Sequence, residues 1–269
     1  MKQKVVFIGA GSMAEAIIAG LVQAQFFPNE YIFVTNKNDR SRLEILQKKY
    51  AIQSFKDKEV VRDADIVVLA TKPVDVKEAI QSVQPYINSN QLIISVIAGL
   101  ETSHIEDLFA TNIPVIRAMP NTSASIGHSA TAITAGQYAT EKNIAFAEAL
   151  FQTIGTTTVV QEEHMHAITS ISGSGPAYFY YLVEAMEEAA SELGLSRDVA
   201  KELIIQTVIG AGEMLRNTGE AASDLREKIT SPAGTTEAGI EALNSYNFSE
   251  AVKSCVKKAH DRSIELGKQ

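Results

Sequence analysis

Short apolar runs alternate with helically spaced apolar residues through the first 160 positions. Val5–Ile8 reads as a buried strand, and Ala14–Val22 carries the three- and four-residue apolar spacing of a helix. Tyr31–Val34 predicts the next strand, followed by a polar helix ending near Lys49. Ile66–Ala70 and Leu92–Val96 are again rich in Val and Ile, and Val76, Ile80 and Val83 between them share one helix face. Ser103 and Glu106 have the spacing of a capping box that opens a helix towards Phe109. Val115–Ile116, Thr131–Thr134 and Thr156–Val160 supply the last strands. Such alternation predicts a parallel sheet wrapped by helices.

The period changes near Gln161. Tyr178, Leu182, Met186, Ala189 and Leu193 then recur at helical spacing, with Gly194 as a stop. Ser196 is placed to cap a further helix through Leu203, Ile204 and Val208. Asn247 and Glu250 frame a last helix reaching about Leu266. The pattern predicts an α/β domain over residues 1–161 and an all-helical one over 162–269. No repeat or low-complexity linker separates them.

Composition narrows the function. The 269 residues suffice for two modest domains, and 45% hydrophobic with 21% charged residues is ordinary for a globular protein. A net charge of −8 argues against nucleic acid as a partner, so any anionic ligand must be held by local geometry. Cys255 is the single cysteine, which excludes an intramolecular disulfide and suits a reducing cytoplasm. Lys2 and Lys4 precede an apolar run, but Gly9, Gly11 and Glu15 interrupt it, so the segment reads as strand and helix rather than as a targeting signal. No run of about 18 apolar residues predicts a membrane span.

Two loops carry the candidate chemistry. Val5–Ile8 leads into Gly9-x-Gly11-x-x-Ala14 and then a helix, the context in which a dinucleotide pyrophosphate meets Gly9, Gly11, Ser12 and Met13. An NAD site usually places an acidic residue at the end of the second strand. Here Thr35-Asn36-Lys37-Asn38-Asp39-Arg40 puts Asn36 at the tip, with Lys37 and Arg40 able to face a 2′-phosphate. NADPH is the expected cofactor, while Asp39 keeps NADH open. The second loop, Ser231-Pro232-Ala233-Gly234-Thr235-Thr236, leads into a helix whose first N–H groups suit a carboxylate. Caps for that helix are the competing reading of its threonines.

Five segments together resemble the pyrroline-5-carboxylate reductase family over essentially the whole chain. They are the glycine loop, Ala70-Thr71-Lys72-Pro73, Arg117-Ala118-Met119-Pro120-Asn121-Thr122, Ser172-Gly173-Ser174-Gly175-Pro176-Ala177-Tyr178, and Leu225–Leu243 with its Ser231–Thr236 turn. Ala233 stands where the family more often has glycine, and Ser123 where proline commonly follows the Asn-Thr pair. The resemblance implies a Rossmann-type domain followed by a helical dimerisation domain, and reduction of the cyclic imine 1-pyrroline-5-carboxylate to L-proline by a nicotinamide cofactor. It implies that Ala70, Lys72 and Pro73 lie beside the cofactor, with Met119, Pro120, Asn121, Pro176 and Ala177 near the nicotinamide. It also implies that Ser231, Gly234, Thr235 and Thr236 hold substrate, that the Thr236 hydroxyl serves the imine nitrogen, and that the chain forms an intertwined dimer or larger homo-oligomer.

Other residues read as structural. Arg117 is expected to pair with a carboxylate at the rim of the core. His164 and His166 point to different helix faces, and no metal site is expected. Two alternatives remain: a 3-hydroxy acid dehydrogenase, for which Lys201 or Lys228 would have to serve as base, and a nucleotide-sensing paralogue with weak catalysis.

Overall fold

The computed structural model describes residues 3–109 and 111–267; Lys2 lies outside them. The chain begins with β1 (Val5–Ile8), α1 (Ser12–Gln23), β2 (Ile32–Thr35), α2 (Arg40–Tyr50) and β3 (Gln53–Ser54). There follow β4 (Ile66–Leu69), α3 (Val76–Val83), β5 (Leu92–Ser95), α4 (Thr102–Leu108) and β6 (Val115–Met119). β7 (Ser129–Ala135), α5 (Glu141–Gln152) and β8 (Gly155–Val159) complete the sheet, whose order is β3-β2-β1-β4-β5-β6-β7-β8. β1, β4 and β5 are buried at every position, as strands covered on both faces must be. Val5 and Phe7 join one core with Ile17, Leu21 and Phe151, while Val6 and Ile8 join the other with Ile80 and Ile105.

The sheet departs from the all-parallel expectation at β7, which runs antiparallel to β6. A parallel return needs a crossover of about a dozen residues or more, and the link here holds only a short 3₁₀ turn, Thr122–Ile126, ending at Gly127 with φ 75°. The expected capping box also fails. α4 has Glu101 at its N-cap with no side-chain bond, and Ser103 lies inside the helix. The first-turn donor is met from far along the chain, by Glu162, which accepts from the Thr102 N–H at 3.2 Å and from its hydroxyl at 2.7 Å. Glu106 instead faces the Tyr138 N–H at 3.5 Å. A box that the sequence reading did not mark does form, with Thr140 and Asn143 opening α5.

After β8 come α6 (Met165–Ile168), a π-helical turn at Thr169–Gly173, α7 (Gly175–Glu192) and α8 (Arg197–Thr218). α9 (Ala222–Lys228), α10 (Thr235–Ser245) and α11 (Phe248–Gly267) finish the described chain. Gly194, at φ 85°, ends the run after α7; Ser196 occupies the N-cap of α8 without a side-chain bond. By contacts the chain divides at Pro176/Ala177 and again at Lys257/Lys258. The change of hydrophobic period at 161 and this division report different things, because residues 162–176 are helical yet pack with the sheet. Within Ala177–Lys257 only Ala200 and Ile204 are buried, whereas Phe179, Tyr181, Leu203, Ile209, Met214 and Tyr246 are exposed. Among the described residues no helix is long and apolar enough to cross a membrane.

Arg117 on β6 is 1% exposed and pairs with Glu162, the same carboxylate that caps α4. Its Nε and Nη2 have no hydrogen-bond partner among the described residues, where Glu162 supplies the compensation for this buried charge. Glu162→Ala should therefore cost about 3–5 kcal/mol, the usual penalty for stranding a buried charge. Chemical denaturation of the two proteins would check this, and a change below about 1 kcal/mol would show that solvent reaches Arg117.

Candidate functional site

The sheet register makes the site. Val5 pairs with both Ile32 and Ile66, and Ile8 with both Thr35 and Leu69, so β1, β2 and β4 end on one line. The strand order turns between β1 and β4, where open α/β sheets bind ligands beyond their carboxyl ends. Gly9 lies in this crevice at φ 116°, its N–H bonded to the Thr35 carbonyl at 2.9 Å. A Cβ there would stand 2.3 Å from the Ala70 oxygen, so only glycine lets the two loops touch. At Gly11, by contrast, an added Cβ meets nothing within 4 Å. Gly11 is the N-cap of α1 and supplies no side chain to the helix's first N–H groups.

These loops open onto a groove of about 680 Å³. Among the residues expected at the cofactor, Gly9, Gly11, Asn36, Lys37, Arg40, Ala70 and Lys72 line it. Ser12 and Met13 follow as the first residues of α1, and Pro73 opens the 3₁₀ turn after Lys72. Thr71 also lines the groove, and its Oγ1 is buried with no hydrogen-bond partner among the described residues. An open glycine, an uncapped helix start and an orphaned hydroxyl together fit a dinucleotide phosphate.

The acidic residue near the tip of β2 is already engaged. Asp39 caps α2, accepting from the Arg42 N–H at 2.9 Å and the Ser41 hydroxyl at 2.8 Å, and these bonds hold its carboxyl below its ordinary pKa. Asn36 bonds to the Asp39 backbone rather than pointing out alone. Of the two cations expected to meet a 2′-phosphate, Lys37 is bridged to Glu78 at 2.5 Å and Arg40 to Glu44 at 3.1 Å. Lys56 and Lys58 also line the groove, although sequence reasoning gave them no role. They follow directly on β3, an edge strand of two residues, too short to leave a period in the sequence.

The glycine loop has a brace that sequence also missed. Arg42 Nε donates to the Ala10 carbonyl at 2.9 Å, and its guanidinium meets Glu15 at 2.5 Å. Glu15 further accepts from Lys49 and from the Tyr50 hydroxyl, both at 2.9 Å, so one carboxylate ties α1 to α2.

Farther along the sheet edge, two expected segments meet. Asn121, after β6, donates from Nδ2 to the Ser172 carbonyl at 3.0 Å, and its own N–H donates to Ser129 Oγ. A Cβ on Gly173 would come 2.8 Å from the Met119 Cε. Met119, Pro120 and Asn121 thus lie against the π-helical turn, whose Ser174 N–H bonds to the Thr169 carbonyl at 2.8 Å. Such turns recur at functional sites. None of these residues, nor Pro176 and Ala177 at the start of α7, lines the groove described above.

The second helical unit contains the other loop. Gly234 is the N-cap of α10, so Thr235 and Thr236 are its first two residues and neither threonine is its cap. The Gly234 N–H closes a turn on the Ser231 carbonyl at 3.0 Å, and a Cβ at Gly234 would crowd Ser231 Oγ at 2.5 Å. Ala233 sits at φ 57°, the left-handed region that favours glycine, and its N–H donates to Glu237 at 2.6 Å. His166 belongs to the sheet unit, bonded through Nδ1 to Ser263 Oγ at 2.9 Å; burial is the main cause that lowers its pKa. Among the described residues, no group of three or more His, Cys, Asp or Glu side chains is placed to hold a metal ion.

The chain matches the family model described as pyrroline-5-carboxylate reductase dimerisation over residues 162–266, and that described as NADP oxidoreductase, coenzyme F420-dependent, over 4–99. It is 46% identical over 268 residues to pyrroline-5-carboxylate reductase 2 of Bacillus subtilis, covering 99% of this chain and 96% of that protein. A solved pyrroline-5-carboxylate reductase from Coxiella burnetii superposes with a TM-score of 0.90 at 34% identity, covering both chains completely. The Plasmodium falciparum pyrroline carboxylate reductase with NADP bound gives 0.88 at 28% identity, with 99% of each chain covered.

Glu15 gives the braced loop a pH signature. The hydrogen bond from Lys49, with those from Arg42 and Tyr50, outweighs burial and lowers its pKa from 4.5 to about 2. A depressed carboxylate stabilises the fold fully above pH 4.5, and that contribution is lost as the pH falls through 2. Glu15→Gln should be less stable than wild type near neutrality and approach it progressively below pH 4.5. Denaturant midpoints measured down the acid range check this; a constant gap between the two proteins would rule out the brace as their source.

Proposed function

The chain belongs to the pyrroline-5-carboxylate reductase family, and we propose that it reduces 1-pyrroline-5-carboxylate to L-proline, completing proline synthesis. The observation that carries this reading is kinship over the full length of the chain, 46% identity to a relative matched across both halves. A hydroxy acid dehydrogenase has no such support, and neither Lys201 nor Lys228 is needed as a base.

A nicotinamide cofactor would supply, when bound, the hydride that the imine carbon accepts. The chain's own residues hold the reactants. Gly9, Gly11, Ser12 and Met13 receive the pyrophosphate at the start of α1, with the Thr71 hydroxyl beside them in the groove. Ala70, Lys72 and Pro73 border the cofactor from the end of β4. Met119, Pro120 and Asn121, with Pro176 and Ala177, form the nicotinamide end in this reading; the bond from Asn121 to Ser172 supports the rigidity such an end requires.

The substrate carboxylate is assigned to the start of α10, where Ser231 shapes the turn and the N–H groups of Thr235 and Thr236 follow the Gly234 cap. A protonated imine accepts hydride at carbon, and its N–H remains on the product amine. That chemistry needs a group to orient the nitrogen more than a strong acid. We assign the role to the Thr236 hydroxyl, which is free of the capping task that would otherwise occupy it.

NADPH is the preferred cofactor in this reading, with NADH accepted more weakly. What supports it is Asp39, whose carboxylate is committed to capping α2 rather than to a ribose diol. Self-association is supported by the apolar side chains exposed on the helices of Ala177–Lys257 and by the match to a dimerisation model.

Cofactor oxidation followed by absorbance, with 1-pyrroline-5-carboxylate and identification of the product, tests the function. L-proline formed faster with NADPH than with NADH is the expected result, and a folded, cofactor-binding protein without turnover would overturn it. Thr236→Ala should lower kcat by on the order of 10²-fold while the NADPH Kd stays near wild type. Unchanged turnover would remove Thr236 from the mechanism.

A further inference from the structure

The loop after β3 brings two cations to the groove that nothing above has used. β3 pairs with β2 through Phe33↔Gln53 and Val34↔Ser54, and the ladder continues one step as the Phe55 N–H donates to the Val34 carbonyl at 3.2 Å. Lys56 therefore emerges beside the end of β2, at the same mouth as Asn36 and Lys37. Asp57 then turns the chain, accepting from the Glu59 N–H at 3.0 Å, so its carboxylate serves a cap. Lys58 follows, half-buried, its Nζ 5.5 Å from the centre of the buried Phe55 ring.

The four cations at this end of the groove are not equivalent. Lys37 and Arg40 each have a carboxylate partner, and moving either towards a ligand gives up that ion pair. No carboxylate among the described residues lies within ion-pair distance of Lys56 or Lys58. Burial disfavours the charge on Lys58, and an anion placed beside it relieves that penalty. The Phe55 ring lies under the Lys58 Nζ, a cation–π contact that holds the ammonium in place but supplies no negative charge. Against a net charge of −8 for the chain, such an uncompensated pair marks a local anion site.

We propose that Lys56 and Lys58, rather than Lys37 and Arg40, discriminate NADPH from NADH by holding the 2′-phosphate. This rests on the NADPH-dependent reading above. It also assigns specificity to a loop outside the glycine motif and the end of β2, where that choice is ordinarily sought.

Titration calorimetry with NADPH and with NADH, on the purified protein without imine substrate, tests the assignment independently of turnover. Wild type should bind NADPH more tightly than NADH. Lys56→Ala/Lys58→Ala should raise the NADPH Kd about ten-fold or more, the scale of a lost charge-assisted contact, and shift the NADH Kd less than two-fold. Lys58→Arg should retain most of the NADPH affinity that Lys58→Gln loses. Lys37→Ala/Arg40→Ala should cost less than the Lys56/Lys58 pair. Equal weakening of both cofactors, an unchanged ratio, or a larger loss in the Lys37/Arg40 variant would overturn the proposal. Thermal unfolding of each variant identifies a general loss of structure, and Lys58→Arg then decides between charge and fold. If the wild type binds NADPH preferentially but does not reduce the imine, the proposed reaction fails while this assignment stands.

Discussion

The close approach of Gly9 to Ala70 is the constraint on which the cofactor groove depends. Two loops leave adjacent parallel strands at the same height because Ile8 and Leu69 are in register. They can run side by side only if one lacks a Cβ. That contact sets the floor of the crevice, and the neighbouring α1 start is then held from the outside by Arg42 and Glu15. Glycine supplies the geometry, and a charged brace from the next helix fixes it. A flexible glycine loop alone would have to be ordered by its ligand, at a cost in affinity.

Much of this was legible in the sequence. The strands β1, β2, β4 and β5 sit where short apolar runs predict them, and the motif loops mark their ends. The helical character after Gln161 was equally plain. What stayed hidden depends on contacts between distant residues. The box at Ser103 and Glu106 has the right spacing, yet the helix starts at Thr102, one residue earlier, and the Thr102 N–H is met by Glu162, a partner some sixty positions away that sequence spacing cannot register. β3 is two residues long and half-exposed, too short for periodicity to detect. Missing it also hid the loop of Lys56 and Lys58. The reversed direction of β7 could have been read from the short link before it, though no residue type announces it.

The candidate site was legible in its parts more than in its pairings. The sequence identified Lys37 and Arg40 as cations near a phosphate, but not that each already has a carboxylate beside it. Capping is the competing sequence reading of the threonines at 235 and 236, and the backbone gives that position to Gly234 instead. The sequence has alanine where its relatives favour glycine, and the positive φ of Ala233 gives that departure a physical meaning. One region was read correctly from chemistry alone: Arg117 was expected to pair with a carboxylate, and Glu162 is that partner.

The scarcity of buried side chains within Ala177–Lys257 has a consequence for what stability means in this protein. A unit that buries only Ala200 and Ile204 lacks an interior large enough to offset the entropy of ordering its helices. If pairing with a second chain supplies that interior, folding of this half is governed by mass action. The fraction of ordered helices then rises with protomer concentration, and simple dilution acts on this half as a denaturant does on a self-sufficient domain. Synthesis rate and local abundance would become thermodynamic variables of the fold itself.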